Sequence, residues 1–364
     1  MLKIKEMSEA EKKLTDLSEL GEFGLINKLT KDFTKLHPSS LVGVGDDAAV
    51  IQPNEGKVML VSKDLLIENV HFDMVYTPLK HLGYKSVVVN MSDIVAMNGT
   101  PKQLLVGLGV SSKYSAEAIE ELYSGIRTAC ERYQVDLIGG DTTSSAAGLF
   151  ISITIIGEAD ADKVVYRSGA SANDLVCVSG DLGAAYMGLL VLEREKSEFM
   201  ANPNMQPELS DKEYLIERQL KPEARKEITQ MLADADIHPT SMIDISDGLA
   251  SEILHLCKAS NTGVALYEDK IPIDQLTFDT AKELGIVPTV AALNGGEDYE
   301  LLFTVKQTDF EKVKNLNGVS IIGYMTDKDE GEHLVTSDNQ IIPITAQGWD
   351  ALKNKHHNTT DKKE

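Results

Sequence analysis

Lys57-Val58-Met59-Leu60-Val61-Ser62-Lys63-Asp64 reads as a β-strand whose apolar run ends on a carboxylate. Outward from it, strand and helix alternate as far as Gly157. Pro78 to Met97 has helical spacing, and Leu104 to Val110 and Leu149 to Ile156 are strand-like. Between them Ser115 can cap a helix whose Ile119, Leu122, Ile126, Ala129 and Tyr133 form one apolar face. The polar break Gly157-Glu158-Ala159-Asp160-Ala161-Asp162 divides the chain, and the alternation then restarts. Strands are expected at Leu175 to Val178, Met242 to Ile245, Val264 to Tyr267, Leu301 to Val305 and Val319 to Tyr324, with helices from Leu182 and over Leu249 to Lys258. The pattern predicts an α/β fold of two consecutive units: an N-terminal extension over 1–20, one unit over 21–160, a second over 161–350 and a polar tail over 351–364. The charged stretch from Glu193 to Asp211 reads as a surface insertion.

The net charge is -22, from 57 acids against 35 Lys plus Arg. That balance argues against nucleic acid as a partner, since a polyanion needs a basic stripe and none is present. The longest apolar run, Leu149 to Ile156, is too short to span a membrane, and Met1 to Glu6 lacks the apolar core of a signal peptide. Cys130, Cys177 and Cys257 lie far apart inside apolar patterns and read as reduced, buried fillers of a cytoplasmic protein.

Carboxylates recur at turns and element ends. Asp46 and Asp47 stand in Gly43-Val44-Gly45-Asp46-Asp47-Ala48, Asp64 ends the first strand, and Asp93 closes Asn90-Met91-Ser92-Asp93. Asp141 follows Gly139-Gly140, Asp244 and Asp247 flank Ile245-Ser246, and Glu297-Asp298 follow Gly295-Gly296. Acids gathered this way repel one another unless a cation holds them, and an all-oxygen set suits Mg²⁺. Each also has a plainer reading. Gly and Asp suit a tight turn, Asp64 and Asp247 can cap helices, and a lone histidine such as His71 is often structural. Asp93 faces the core side of its helix with no Lys or Arg at helical spacing, so it needs a partner from elsewhere. Paired glycines at 139–140 let backbone N–H groups approach a phosphate, and Arg167 suits a phosphate clamp or a plain surface position. Gly180-Asp181-Leu182-Gly183 fits a packing turn better than an anion site. The first glycine turn fits a dinucleotide fingerprint in letters only, because two aspartates would face the pyrophosphate and no helix follows. A P-loop, a protein-kinase motif set, zinc spacing and a serine-hydrolase elbow are all absent from the sequence.

Taken in order, Gly21-Glu22-Phe23-Gly24, Val42 to Asp47, Ser62-Lys63-Asp64 with His71-Phe72, Asn90 to Asp93, Ile138 to Thr143, Arg167-Ser168-Gly169, Ile243 to Gly248 and Gly296-Glu297-Asp298-Tyr299-Glu300 resemble the thiamine-monophosphate kinase family. The likeness runs from about residue 20 to residue 350, and several motifs are shared with the aminoimidazole ribonucleotide synthetase superfamily. It implies ATP-dependent phosphorylation of thiamine monophosphate to thiamine diphosphate, by direct in-line transfer, in a cytoplasmic homodimer whose N-terminal units pair into a β-barrel. It further implies that Asp47, Ser62, Asp64, Asp93, Asp141 and Asp244 ligate Mg²⁺ and that Asp247 holds a further ion. Gly140, Arg167 and Ser246 would contact ATP; His71, Glu297 and Trp349 would contact the thiamine substrate. Two departures from the family pattern stand out: Lys63 replaces a hydroxyl residue, so it either supplies counter-charge or turns outward, and Ala351-Leu352 replaces a His-Phe pair.

The chemistry is coherent with that resemblance. At about 5 Å and an effective dielectric near 20, each unit charge pair between two phosphates repels by roughly 3 kcal/mol. Cations bridging both groups remove that barrier, and a phosphate nucleophile is already ionised near neutral pH. Two other readings use the same acids: a cyclase of the synthetase type that releases free phosphate, and a non-catalytic Mg-ATP sensor. Selenophosphate-synthetase and hydrogenase-maturation chemistry lack a reactive cysteine near either end of the chain.

Overall fold

The structure, a computed structural model, describes residues 15, 17–42, 50–204, 207 and 209–347. Asp46, Asp47 and Trp349 lie outside them. In chain order the first half runs α1 (Leu17–Thr30), β1 (Ser40–Val42), β2 (Val50–Ile51), β3 (Lys57–Ile67), α2 (Leu79–Ala96), β4 (Thr100–Val110), α3 (Ala116–Tyr133), β5 (Asp136–Ser144) and β6 (Phe150–Asp160). The second half runs β7 (Leu175–Ser179), α4 (Ala184–Ala201), α5 (Glu213–Leu220), α6 (Lys226–Asp234), β8 (Ser241–Asp244), α7 (Leu249–Ser260), β9 (Gly263–Tyr267), α8 (Gln275–Glu283), α9 (Pro288–Asn294), β10 (Leu301–Val305), α10 (Phe310–Val313), β11 (Val319–Thr326), β12 (Glu332–Val335) and β13 (Ile341–Pro343).

The first half forms a four-stranded sheet, β3-β6-β4-β5, antiparallel except for the parallel β4–β5 pair. Its inward residues, among them Leu104, Val106, Leu108, Ile151, Ile153 and Ile155, bury against α2 and α3. Ser115 caps α3 by accepting from the Ala118 N–H, and the five apolar positions read from the sequence are all buried. The two helices approach closely enough that a Cβ on Gly83 would lie 1.9 Å from the Leu122 carbonyl oxygen, and one on Gly125 equally near that of Lys80. Only glycine permits that contact.

The second half forms a seven-stranded mixed sheet, β13-β12-β9-β11-β7-β10-β8. Alternation along β7 sends Val176 and Val178 to one core and Leu175 and Cys177 to another. Val95 and Ala96, from the end of α2, pack into the second of these. One helix therefore contributes to the core of the first unit and to this core of the second, and Asp93, the one acid it carries, sits at the junction. All three cysteines are free and buried.

Two strands run further than the sequence reading placed them. β3 does not end at Asp64, because it pairs with β6 without interruption from Lys57↔Asp160 to Ile67↔Phe150. β5 continues past the strand-like Val135-Asp136-Leu137-Ile138 through Gly139-Gly140-Asp141, because its parallel pairing with β4 resumes after a one-residue irregularity at Leu104/Leu105. The supposed insertion beginning at Glu193 is, as far as Ala201, the second half of α4.

Candidate active site

Each residue of Asn90-Met91-Ser92-Asp93 does a separate job at the junction. Asn90, fully buried, accepts from the Asp64 backbone N–H at 2.9 Å and donates to the Ser86 carbonyl at 3.0 Å, fastening α2 to β3. Met91 fills the core. Ser92 crosses to the second unit and donates to Asp244 Oδ2 at 2.6 Å, while Asp93 accepts from Ser62 Oγ at 2.5 Å. One helical turn thus gathers Ser62, Asp64, Asp93 and Asp244.

These acids act on one another through a poorly solvated space. Burial, and then Asp93, pushes Asp64 up to about 6. Burial, Asp93 and, to a lesser degree, Asp64 push Asp244 up to about 7. Burial also raises Asp93, against the hydrogen bond from Ser62 and the charge of Arg167. Among the described residues no three acidic, histidine or cysteine side chains form a ready-made metal cage. Mg²⁺ ordinarily keeps waters and takes substrate phosphate oxygens beside one or two carboxylates, and Asp64, Asp93 and Asp244 offer carboxylate oxygens of that kind. Oxygen donors that cannot comfortably all ionise are the right set for such an ion.

Asp93 and Asp244 form a wall shared by two cavities. The larger, about 990 Å³, is also lined by Asp64, His71, Lys85, Tyr186, Ser246, Asp247, Asn294 and Glu297. The smaller, about 580 Å³, is lined by Ser62, Tyr166, Arg167 and Ser168. His71 Nδ1 accepts from the Ile67 N–H at 3.0 Å, which leaves Nε2–H as the donor. Burial keeps its imidazole below the ordinary value, despite the pull of Glu297.

Glu297 reaches the larger cavity because of an unusual turn. Its N–H donates to the Ser246 carbonyl at 2.6 Å and that of Tyr299 to Ile245 at 2.9 Å, locking this turn to the end of β8. Gly296 has φ +73, and a Cβ there would lie 2.6 Å from the Ser246 oxygen. Glu297 and Tyr299 also have positive φ, at 58 and 51. Behind the cavity, Asp298 accepts from the Gly183 and Ala185 N–H groups at the start of α4. The Gly180-to-Gly183 turn thus takes an internal anion, in keeping with its packing reading. Glu300, fully buried, accepts from Ser179 Oγ at 2.5 Å, pairs with Arg218 at 3.2 Å and is held by Arg225.

Not every residue singled out in the sequence comes to the junction. The pairing registers place Asp64, Ile153, Val106 and Gly140 in one cross-strand row, and Leu65, Ser152, Gly107 and Asp141 in the next. Neighbouring rows face opposite sides of a sheet, so Asp141 shares the outer face with Leu65 instead of the inner one with Asp64. Gly140 shares the row of Asp64, but a Cβ there would lie 1.9 Å from the Val106 carbonyl oxygen, so strand packing already demands glycine. Lys63 is exposed on the outer face, the second of its two readings. Ser246 falls on the cavity of His71 and Glu297, whereas Arg167 lines the other.

Sequence reasoning missed Lys85, Asp73, Tyr76, Glu193, Lys196 and Gln219, all of which line the larger cavity. Lys196 Nζ reaches Asp73 at 2.7 Å and Tyr76 Oη donates to Glu193 at 2.7 Å, tying the β3–α2 connection to α4 across the cavity mouth. One signal was available for Lys85. Lys85, Val89 and Asp93 follow one another at i+4 steps along a single ridge of α2.

The family described as AIR synthase related protein, N-terminal domain, matches residues 45–159, and its C-terminal counterpart matches residues 172–336. Thiamine-monophosphate kinase of Bacillus subtilis (strain 168) is 34% identical over 342 residues, covering 92% of this chain and 100% of its own. The chain belongs to the thiamine-monophosphate kinase family. That membership makes it an enzyme of the kinase class. Thiamine-monophosphate kinase from Stenotrophomonas maltophilia K279a shares the fold, with a TM-score of 0.74, 29% identity and coverage of 89% of this chain and 98% of that one. AaThiL, solved complexed with AMPPCP and TMP, gives a TM-score of 0.68 at 31% identity, covering 92% of this chain and 97% of that one. Family members therefore align with both units of this chain, on either side of the Asp93–Asp244 wall.

Proposed function

We propose that the chain transfers the γ-phosphoryl group of ATP directly to thiamine monophosphate, giving ADP and thiamine diphosphate. The observation that carries this reading is the wall of Asp93 and Asp244 between two cavities of different character. Arg167 marks the smaller as the nucleotide side, with a guanidinium suited to a phosphate oxygen. His71 and Glu297 mark the larger as the acceptor side: Nε2–H donates to the acceptor, and the carboxylate faces its cationic ring. Ser246 lines the larger cavity, two residues past Asp244, and would serve the phosphates from the acceptor side.

Asp64, Asp93 and Asp244 would hold Mg²⁺, joined by Ser62, Asp47 and Asp247, whereas Asp141, on the outer face of the sheet, could serve only a site completed by a partner copy. When bound, Mg²⁺ neutralises phosphate oxygens and favours in-line attack. The protein's own part is positional. Asn90 and Ser92 fix the acids, the turn at Gly296 sets Glu297, and the neutral imidazole of His71 donates without adding charge. No general base is required, because the attacking phosphate oxygen is already ionised.

We also propose a cytoplasmic homodimer. The outer face of β3 exposes Met59 (42%), Val61 (64%) and Leu65 (53%), an apolar strip that pairing through a shared barrel would cover. Pairing would turn Asp141, on that same face, toward the partner copy. No helix among the described residues is long and apolar enough to cross a membrane.

The test is incubation with Mg-ATP and thiamine monophosphate, with products separated by chromatography. Thiamine diphosphate and ADP in equal amounts support the kinase. Free phosphate with no thiamine diphosphate supports the cyclase reading, and unchanged ATP supports the sensor.

A further inference from the structure

We infer that Lys85 and Gln219 are positioning residues for the acceptor: they clamp the carboxylate of Glu297, one donor on each oxygen. This rests on the acceptor reading of the larger cavity. Lys85 is only 4% exposed, a depth at which lysine is rare without a partner. Its Nζ lies 2.9 Å from Glu297 Oε1 and donates to the Gln219 carbonyl at 2.8 Å. Gln219 Nε2 donates to Glu297 Oε2 at 2.7 Å. One jaw of the clamp is on α2 of the first unit and the other on α5 of the second.

Stability does not account for this arrangement. Burying an ammonium costs desolvation that a part-exposed partner only partly offsets, so the pair is a poor device for stability alone. The orientation of Gln219 points the same way. With its amide nitrogen on Glu297, its Oε1 is left buried without a partner among the described residues. The turn contributes as well, since Glu297 is held at φ 58, where a non-glycine residue is uncommon. What all three features secure is the place and plane of one carboxylate. Its side chain keeps 32% exposure, so its remaining lone pairs open into the cavity. A carboxylate fixed this way presents defined acceptor directions to a cationic ring and to an amino group, both of which thiamine monophosphate carries.

The test compares Michaelis constants of wild type, Lys85→Met, Gln219→Leu, Glu297→Gln and the Lys85→Met/Glu297→Gln double variant. Both clamp variants are expected to raise KM for thiamine monophosphate by about 10-fold or more, since a misplaced binding group can cost up to about 100-fold. KM for ATP should stay within about twofold. The double variant should be no worse than Glu297→Gln alone, because Lys85 acts through Glu297. An unchanged KM for the acceptor, an equal rise in both constants or multiplicative effects in the double variant would overturn the inference. If Lys85→Met does not fold, Gln219→Leu decides by the same constants, paired with Glu297→Gln. Absence of thiamine diphosphate with wild type would refute the function reading and the clamp together, whereas wild-type turnover with indifferent variants would refute the clamp alone.

Discussion

Replacing Asp244 by asparagine should make the metal-free protein more stable and the enzyme inactive. Asp244 is 5% exposed, faces Asp93 and Asp64, and has its proton affinity pushed up from 3.8 to about 7. At about 1.4 kcal/mol per tenfold change in proton affinity, the ionised carboxylate destabilises the metal-free fold by at most about 4 kcal/mol. The direction with pH follows from the same shift. The folded state binds this proton more tightly than the unfolded chain, so the contribution of Asp244 to stability is greatest below pH 4, falls as pH rises toward 7 and then levels off. Asparagine cannot ionise, and the Ser92 hydroxyl can rotate to accept from it instead of donating. The advantage of Asp244→Asn over wild type should therefore grow from near zero at pH 4 to a few kcal/mol at pH 8, or several degrees in Tm. Thermal unfolding in a chelator at pH 4, 5, 6, 7 and 8 measures it, with Mg²⁺ added in parallel. Mg²⁺ should stabilise wild type and leave the variant almost unmoved. An advantage that is the same at every pH, or absent at pH 8, would refute the reasoning.

The two cavities should separate kinetically. Arg167→Ala is expected to raise KM for ATP about 10-fold or more and His71→Ala to do the same for thiamine monophosphate, each sparing the other constant, because each removes one charge-assisted or buried hydrogen bond. Steady-state kinetics in both substrates would show the split. Gly83→Ala should destabilise the chain by about 3 kcal/mol or more in urea unfolding, since its Cβ would lie 1.9 Å from the Leu122 oxygen.

Local signals read well where one element alone determines the outcome. Ser115 and the apolar face of α3 behave as their spacing dictates, and so do the hydrophobic strands of the second sheet. The need of Asp93 for a partner from elsewhere was also legible, although Ser62 and Arg167 as its neighbours were not. What escaped reading depended on distant pairing. The extension of β3 beyond Asp64 comes from β6, nearly a hundred residues later, and the face taken by Asp141 depends on a one-residue irregularity opposite β4. Lys85 was hidden because a lysine in a helix ordinarily faces water, and its burial depends on Glu297 and Gln219 from the other unit. The lines Asn90, Ser92 and Asp93 send in three directions could be told apart only with β3 and β8 in place.

The central claim is that phosphate passes between two cavities across the acids they share. The most direct measurement follows the label from [γ-³²P]ATP in a single turnover with Mg²⁺ and thiamine monophosphate, for wild type and for Asp93→Asn. The account predicts label in thiamine diphosphate and not in free phosphate for wild type, and transfer slowed by about 10³-fold or more in the variant, the scale of a lost electrostatic contact to the transferring group. Label found only in free phosphate, or an Asp93→Asn rate close to wild type, would contradict it.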